Sequence, residues 1–211
     1  MLVKMFTVGG FSTNCYVVSC EQTKEAIIVD PGFDSRIETE KIFKYIEVNA
    51  LRLKSIINTH GHPDHTCGNG VVKEKFNVPI IIHEFDAHML GEAGKKIAFF
   101  FGFSGSSPAA DSLLHEGDMV NFGRITLKVM QTPGHSRGSI SLIGTKEVFT
   151  GDTLFCGSIG RTDFPESSEL EMNSSLRKLS LLPDGFVVYS GHGPKTTIGE
   201  EKRNNPFLQL L

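Results

Sequence analysis

Thr59-His60-Gly61-His62-Pro63-Asp64-His65 is the stretch on which the reading of this chain turns. It follows Leu53–Asn58, a run of apolar and β-branched residues that predicts a strand, so three imidazoles and a carboxylate are delivered together at a strand end. His60 and His62 stand at i and i+2 and cannot share a helical face, so the segment is read as a loop or extended turn. Pro63 restricts its own backbone and that of His62. Packing these groups into a core without partners would cost about 1–3 kcal/mol for each one left unsatisfied. A divalent cation removes the conflict, because neutral imidazole and ionised carboxylate are ligands it favours.

Moving outward, the same arrangement recurs. Leu127–Gln131 predicts a strand that ends in Thr132-Pro133-Gly134-His135; Glu147–Thr150 predicts one that ends in Gly151-Asp152; Phe186–Ser190 predicts one that ends in Gly191-His192-Gly193-Pro194. Loops after strands are where α/β architectures carry their sites. The pairing of Thr59-His-Gly-His62 with Thr132-Pro-Gly-His135 is an internal echo, and it suggests two halves that deliver similar loops to one edge of the core. Further strands are expected at Leu2–Val8, Cys15–Ser19, Ala26–Asp30, Val78–Ile82 and Ser139–Ile143. A hairpin of Leu113–Val120 and Arg124–Met130 is expected around Asn121-Phe122-Gly123. Helices are expected over Arg36–Asn49, Gly70–Phe76 and about Ser167–Leu182, the last with Met172, Leu176 and Leu179 on one stripe. Ile97–Phe103 reads as core packing under a loop, with a cleft wall or a dimer contact as its functional alternatives.

Composition bounds the rest. The 211 residues are 39% hydrophobic and 21% charged, which is globular and fits a single domain over 1–211. A net charge of −3 without a long basic run argues against a nucleic-acid partner. No apolar stretch approaches the ~18 residues of a membrane span, and MLVKMFTVGG lacks a secretory hydrophobic region, so neither a membrane partner nor export is expected. Cys15, Cys20, Cys67 and Cys156 show no framework spacing and read as reduced thiols of a cytoplasmic protein.

Taken together, T-H-x-H-x-D-H, P-G-H, G-D and G-H-G-P resemble the metallo-β-lactamase superfamily, in particular its glyoxalase II-like hydrolases, over nearly the whole chain and in the family's order. The resemblance implies an α+β fold, an αββα sandwich of two mixed β-sheets flanked by helices, with two divalent metal ions at one edge. On this sequence it implies His60, His62 and His135 as ligands of the first ion. Asp64, His65 and His192 would hold the second, and Asp152 would bridge the two, with Asp64 and Asp152 as the catalytic carboxylates. Zinc is the first expectation, with iron or manganese as alternatives, since an all-N/O ligand set suits each. Asp30 resembles an aspartate that fixes a histidine tautomer, although it also suits a plain turn before Pro31-Gly32. Cys67 and Cys156 are not expected as ligands, and His83, His88 and His115 match no ligand position.

The implied activity is hydrolysis of a thioester, of the acyl-glutathione type, by a metal-bridged hydroxide. The substrate is then a small molecule and the protein a monomer or homodimer. Arg161 and Asp163 occupy the positions where glyoxalase II holds glutathione with Lys and Tyr. Arg161 could pair with a substrate carboxylate, while Asp163 would repel one. The loop Gly160-Arg161-Thr162-Asp163-Phe164 also resembles persulfide dioxygenases, which would use one iron on His60, His135 and Asp152. A lactonase using the dinuclear site is a further alternative. The additional C-terminal helical domain by which glyoxalase II contacts glutathione is not expected here, and Lys195, Lys202 and Arg203 read as a solvated face.

Overall fold

The first sheet grows from the strongly β-branched N-terminal half of the chain. The computed structural model describes residues 1–211, and its first six strands are β1 (Leu2–Val8), β2 (Thr13–Ser19), β3 (Glu25–Val29), β4 (Arg52–Ile57), β5 (Ile80–His83) and β6 (Ser112–Leu114). They lie side by side in chain order. The first three are antiparallel, joined by tight turns; β3 to β6 are parallel, because each connection carries a helical crossover. Those crossovers contain α1 (Arg36–Val48), α2 (Pro63–Thr66), α3 (Asn69–Phe76), a 3₁₀ helix (Glu84–Met89) and α4 (Gly91–Phe100). Ser35 caps α1, its hydroxyl accepting from Glu38 N–H and donating to the Glu38 carboxylate, ahead of the buried Ile42 and Ile46.

The second sheet is built from β7 (Met119–Phe122), β8 (Ile125–Gln131), β9 (Ile140–Ile143) and β10 (Glu147–Gly151), all antiparallel neighbours. A small hairpin, β11 (Leu154–Phe155) and β12 (Ser158–Ile159), follows. After α5 (Glu169–Ser180) the chain returns as β13 (Val187–Ser190), parallel to β10, and ends through β14 (Thr196–Thr197), α6 (Ile198–Asn204) and α7 (Pro206–Gln209).

Three apolar clusters define the layers. Tyr16, Val18, Ile27 and Ile57 of the first sheet pack against Phe122, Leu127, Val129 and Leu142 of the second. On the outer face of the first sheet, Ile28 and Ile56 meet Ile42 and Ile46 of α1 and Val72 of α3. On that of the second, Val148 and Val188 meet Met172, Leu176 and Leu179 of α5 and Ile198 of α6. The order helix–sheet–sheet–helix is the expected αββα sandwich, with both sheets mixed.

Three expectations need correction. Leu113–Val120 is not one hairpin strand: Ser112–Leu114 ends the first sheet and Met119–Phe122 opens the second. The turn between them is the cause, with Asp118 Oδ2 accepting the His115 N–H at 2.9 Å and Gly117 in the left-handed region at φ 85°. The segment read as a loop is a loop only as far as His62, which opens the helical turn Pro63–Thr66. Proline at the first helical position loses no hydrogen bond there. Finally, Ile97–Phe103 is not core packing. It straddles the end of α4, where Ala98 is buried while Ile97, Phe99, Phe100 and Phe101 face outward.

Candidate metal centre

All seven residues singled out in the sequence meet at one edge of the sandwich. His60 and His62 follow β4, Asp64 and His65 ride on α2, His135 follows β8, Asp152 follows β10 and His192 follows β13. Strand ends from both sheets thus supply the cluster, and the echoed loops after β4 and β8 lie next to each other. His62 Nδ1 is 2.8 Å from His135 Nε2. His65 Nε2 is 3.3 Å from His192 Nε2. Asp64 Oδ2 is 3.5 Å from His65 Nε2 and 3.4 Å from His192 Nε2. Asp152 spans the two sets: its Oδ2 is 3.5 Å from His135 and 3.4 Å from His192, and its Oδ1 is 3.3 Å from His65. A side chain at Gly191 would stand 2.0 Å from Asp152 Oδ1, so only glycine lets this strand end approach the carboxylate.

The rings are aimed from behind. His192 Nδ1 donates to the Phe11 carbonyl at 3.1 Å and His135 Nδ1 to the Arg161 carbonyl at 2.9 Å, which turns both Nε2 atoms toward the cluster. His65 Nδ1 donates to Asp30 Oδ2 at 3.0 Å. Asp30 also accepts the Thr59 N–H at 2.7 Å and the Thr59 hydroxyl at 2.6 Å, contacts that hold it in the left-handed region at φ 49°. It is thus a turn residue and a histidine anchor at once. Thr13 donates to Asp64 Oδ2 at 3.1 Å.

Two atoms show that this arrangement suits a cation. His60 Nε2 and Asp152 Oδ1 are buried without a hydrogen-bond partner, an orphaned base and an orphaned anion in one cluster. Three groups of three potential ligand atoms, each within 4.8 Å of one another, can be drawn: His60–His62–His135, His60–His65–Asp152 and Asp64–His65–His192. Burial, with His65 and His62 beside it, pushes His60 well below the usual imidazole range; burial and then His135 bring His62 to about 4. Burial also acts downward on His65 and His192, but the carboxylates win: Asp152, Asp64 and Asp30 carry His65 well above its ordinary value, and Asp152 and Asp64 raise His192 to about 9. Burial works against the charge on Asp64 and Asp152, yet His65 and His192 hold both below the usual carboxylate range. His60 and His62 are therefore ready as neutral imidazoles, while His65 and His192 hold protons that a cation would displace.

Of the cleft's aromatic rim, sequence reasoning missed Phe155 and Phe11. The Phe164 ring lies 5.2 Å from the His62 ring and 5.8 Å from that of His135, and Phe155 lies 5.8 Å from His192. Phe11, whose carbonyl holds His192, stacks on Phe103 at 5.7 Å. Arg161 and Asp163 flank this rim. They pair with each other through two bonds of 2.6 and 2.8 Å, and the Arg161 guanidinium sits 4.3 Å over Phe164. Only Thr162 separates the two residues, which keeps their side chains within reach of each other. Cys67 is buried and Cys156 exposed, and neither joins the cluster; all four cysteines are free. His83 is buried, with Nδ1 accepting from Phe85 N–H, and His88 and His115 are exposed beside carboxylates. Lys202 pairs with Asp184 and Arg203 with Glu200 on the outer side of α6.

An αββα sandwich with histidines and aspartates gathered from strand ends at one edge defines a class of metal-binding proteins, and comparison with known proteins agrees. Residues 8–192 match the metallo-beta-lactamase superfamily, and the chain belongs to it. It is 37% identical to the hydroxyacylglutathione hydrolase GloC of Haemophilus influenzae, over 99% of this chain and 98% of that protein. Among solved structures it is similar to the BLEG-1 B3 metallo-beta-lactamase (TM-score 0.89, 35% identity, covering 98% of this chain and 99% of that one). It is also similar to TTHA1623 in a di-iron-bound form (0.86, 33%, 98% and 100%) and to ETHE1 from Myxococcus xanthus (0.81, 28%, 98% and 84%).

Proposed function

We propose that this protein is a metal-dependent thioester hydrolase acting on small acyl-thiol substrates of the acyl-glutathione type. The observation that carries the reading is Asp152, a buried carboxylate within 3.5 Å of imidazoles from both halves of the cluster. The likeness to GloC supports the substrate class. His60, His62 and His135 would hold one divalent ion and Asp64, His65 and His192 the other, with Asp152 between them. Zinc is favoured, with iron or manganese as alternatives. Such ions supply a water acidified to near neutrality and a Lewis acid for the carbonyl oxygen. The chain itself does the positioning. Asp64 is the more exposed of the two cluster carboxylates, and Thr13, donating to its Oδ2, fixes it beside His65 and His192. The Phe164 and Phe155 rings limit solvent on two sides of the cleft. No separate general acid is required, since a thiol of pKa about 8.5 leaves as the thiolate near neutral pH. The free cysteines fit a reducing compartment such as the cytoplasm.

A second reading, oxidation of a persulfide at one iron on His60, His135 and Asp152, draws on the loop Gly160–Phe164, and a lactonase would use the dinuclear arrangement. One panel separates the three: thiol release from a glutathione thioester, oxygen uptake with glutathione persulfide, and ring opening of a lactone, each with zinc- and iron-loaded protein. Thiol release without oxygen uptake is expected. Stoichiometric oxygen uptake with iron and no thioester cleavage with either metal would replace the hydrolase by the dioxygenase.

A further inference from the structure

Asp86 belongs to none of the ligand groups, yet it touches both loops that carry the first of them. It is completely buried in the 3₁₀ helix Glu84–Met89. Its Oδ2 accepts the N–H of Gly61 at 2.9 Å and the hydroxyl of Ser136 at 2.7 Å, and its Oδ1 accepts the N–H of Gly138 at 2.6 Å. Gly61 lies between His60 and His62, and Ser136 directly follows His135. We propose that Asp86 is a positioning residue whose carboxylate sets the spacing of these two loops, and through it the affinity of the His60–His62–His135 half of the centre for its cation.

The surroundings leave the carboxylate no other task and no slack. A side chain at Gly138 would stand 2.5 Å from Asp86 Oδ1, and one at Gly61 would stand 2.6 Å from Met89 Cβ on the same helix. Both loops therefore rest directly on the helix, and their backbone donors reach the carboxylate because neither carries a side chain there. The helix is itself fixed at its start, where His83 Nδ1 accepts the Phe85 N–H. The other half of the centre is anchored by different groups, Asp30 behind His65 and Thr13 behind Asp64. An effect of Asp86 should therefore fall on one half. An amide cannot replace it: Asn offers one accepting oxygen, and whichever way it turns its NH₂ meets a backbone N–H, of Gly61 or of Gly138. Groups that support a ligand from behind typically change metal affinity by about 10–100-fold when altered.

The inference rests on the cluster binding metal and not on the identity of the substrate, so its test uses no substrate. Zinc affinity is measured by chelator competition in two backgrounds, His192→Ala, which retains the first ligand group, and His62→Ala, which retains the second. Asp86→Asn is expected to weaken zinc binding about 10–100-fold in the first background and less than about threefold in the second. Equal weakening in both, or none in either, would overturn the positioning role. Should Asp86→Asn fail to fold by circular dichroism, Ser136→Ala, which removes one donor and leaves the carboxylate, is read by the same criterion: weakening confined to the first background supports the role, and equal or absent weakening overturns it. Zinc binding in neither background with Asp86 intact would remove the metal reading, and this inference with it.

Discussion

At the scale of single residues, the centre is a competition between protons and cations. In the metal-free chain His192 is raised to about 9. Its pairing with Asp152 and Asp64 thus stabilises the fold fully below its ordinary value of about 6.5, and that contribution is lost as pH rises through about 9. A bound cation needs the neutral ring, so the proton it must displace costs less as pH increases. The rise in melting temperature on adding zinc is accordingly expected to be larger at about pH 8.5 than at about pH 6.5, by scanning calorimetry. A gain that is flat across this range would contradict the assignment of His192 as a ligand. Asp152 defines a second expectation. Because it lies against imidazoles of both halves, Asp152→Ala should lower kcat for the thioester by at least about 100-fold and reduce metal content. Loss of the mutually paired rim residues, as Arg161→Ala or Asp163→Ala, should cost far less. Turnover near that of the unaltered protein with normal metal content in Asp152→Ala would exclude a role between the ions.

At the scale of elements, helices α5 and α4 behave oppositely. Helix α5 buries Met172, Leu176 and Leu179 against Val148 and Val188. Leu176→Ala removes a fully buried side chain and should cost about 2–5 kcal/mol in urea unfolding. Helix α4 buries little beyond Ala98 and presents Phe99 and Phe100 outward, each more than four-fifths exposed. Phe100→Ser should therefore change unfolding free energy by no more than about 0.5 kcal/mol. A large loss at Phe100 would mean that this surface is covered in solution. The same contrast explains which elements could be read in advance. The stripe on α5 and the i, i+3, i+4 spacing of Ile42, Tyr45 and Ile46 on α1 are local signals, and both helices occur close to where they are expected. The segment around Phe99 carries the apolar content of a core but is not covered by the rest of the chain, and apolar content alone does not reveal which surface a segment faces.

At the scale of the whole molecule, the two sheets have to meet before the centre exists. Seven potential ligands exceed what one tetrahedral ion requires, so about two ions per chain are expected by elemental analysis after reconstitution, falling toward one in Asp64→Ala. One ion per chain in both proteins would reject the dinuclear arrangement. The sequence by itself disclosed the candidate ligands: an uninterrupted strand running into His60, His62, Asp64 and His65, and three later strand ends carrying His135, Asp152 and His192, are local patterns that hydrophobic periodicity and side-chain type reveal. It also disclosed the layered fold, because buried strands and striped helices alternate in a way few architectures accept. Tertiary structure alone decided which chain segments share a sheet, as the split of Leu113–Val120 by the Asp118 turn demonstrates. It alone decided that Arg161 and Asp163 satisfy each other, and that Asp86 accepts hydrogen bonds from the loop of His60 and His62 and from the loop of His135. Such outcomes depend on distances between residues remote in the chain, and a one-dimensional pattern holds no information about which buried carboxylate will find which backbone N–H.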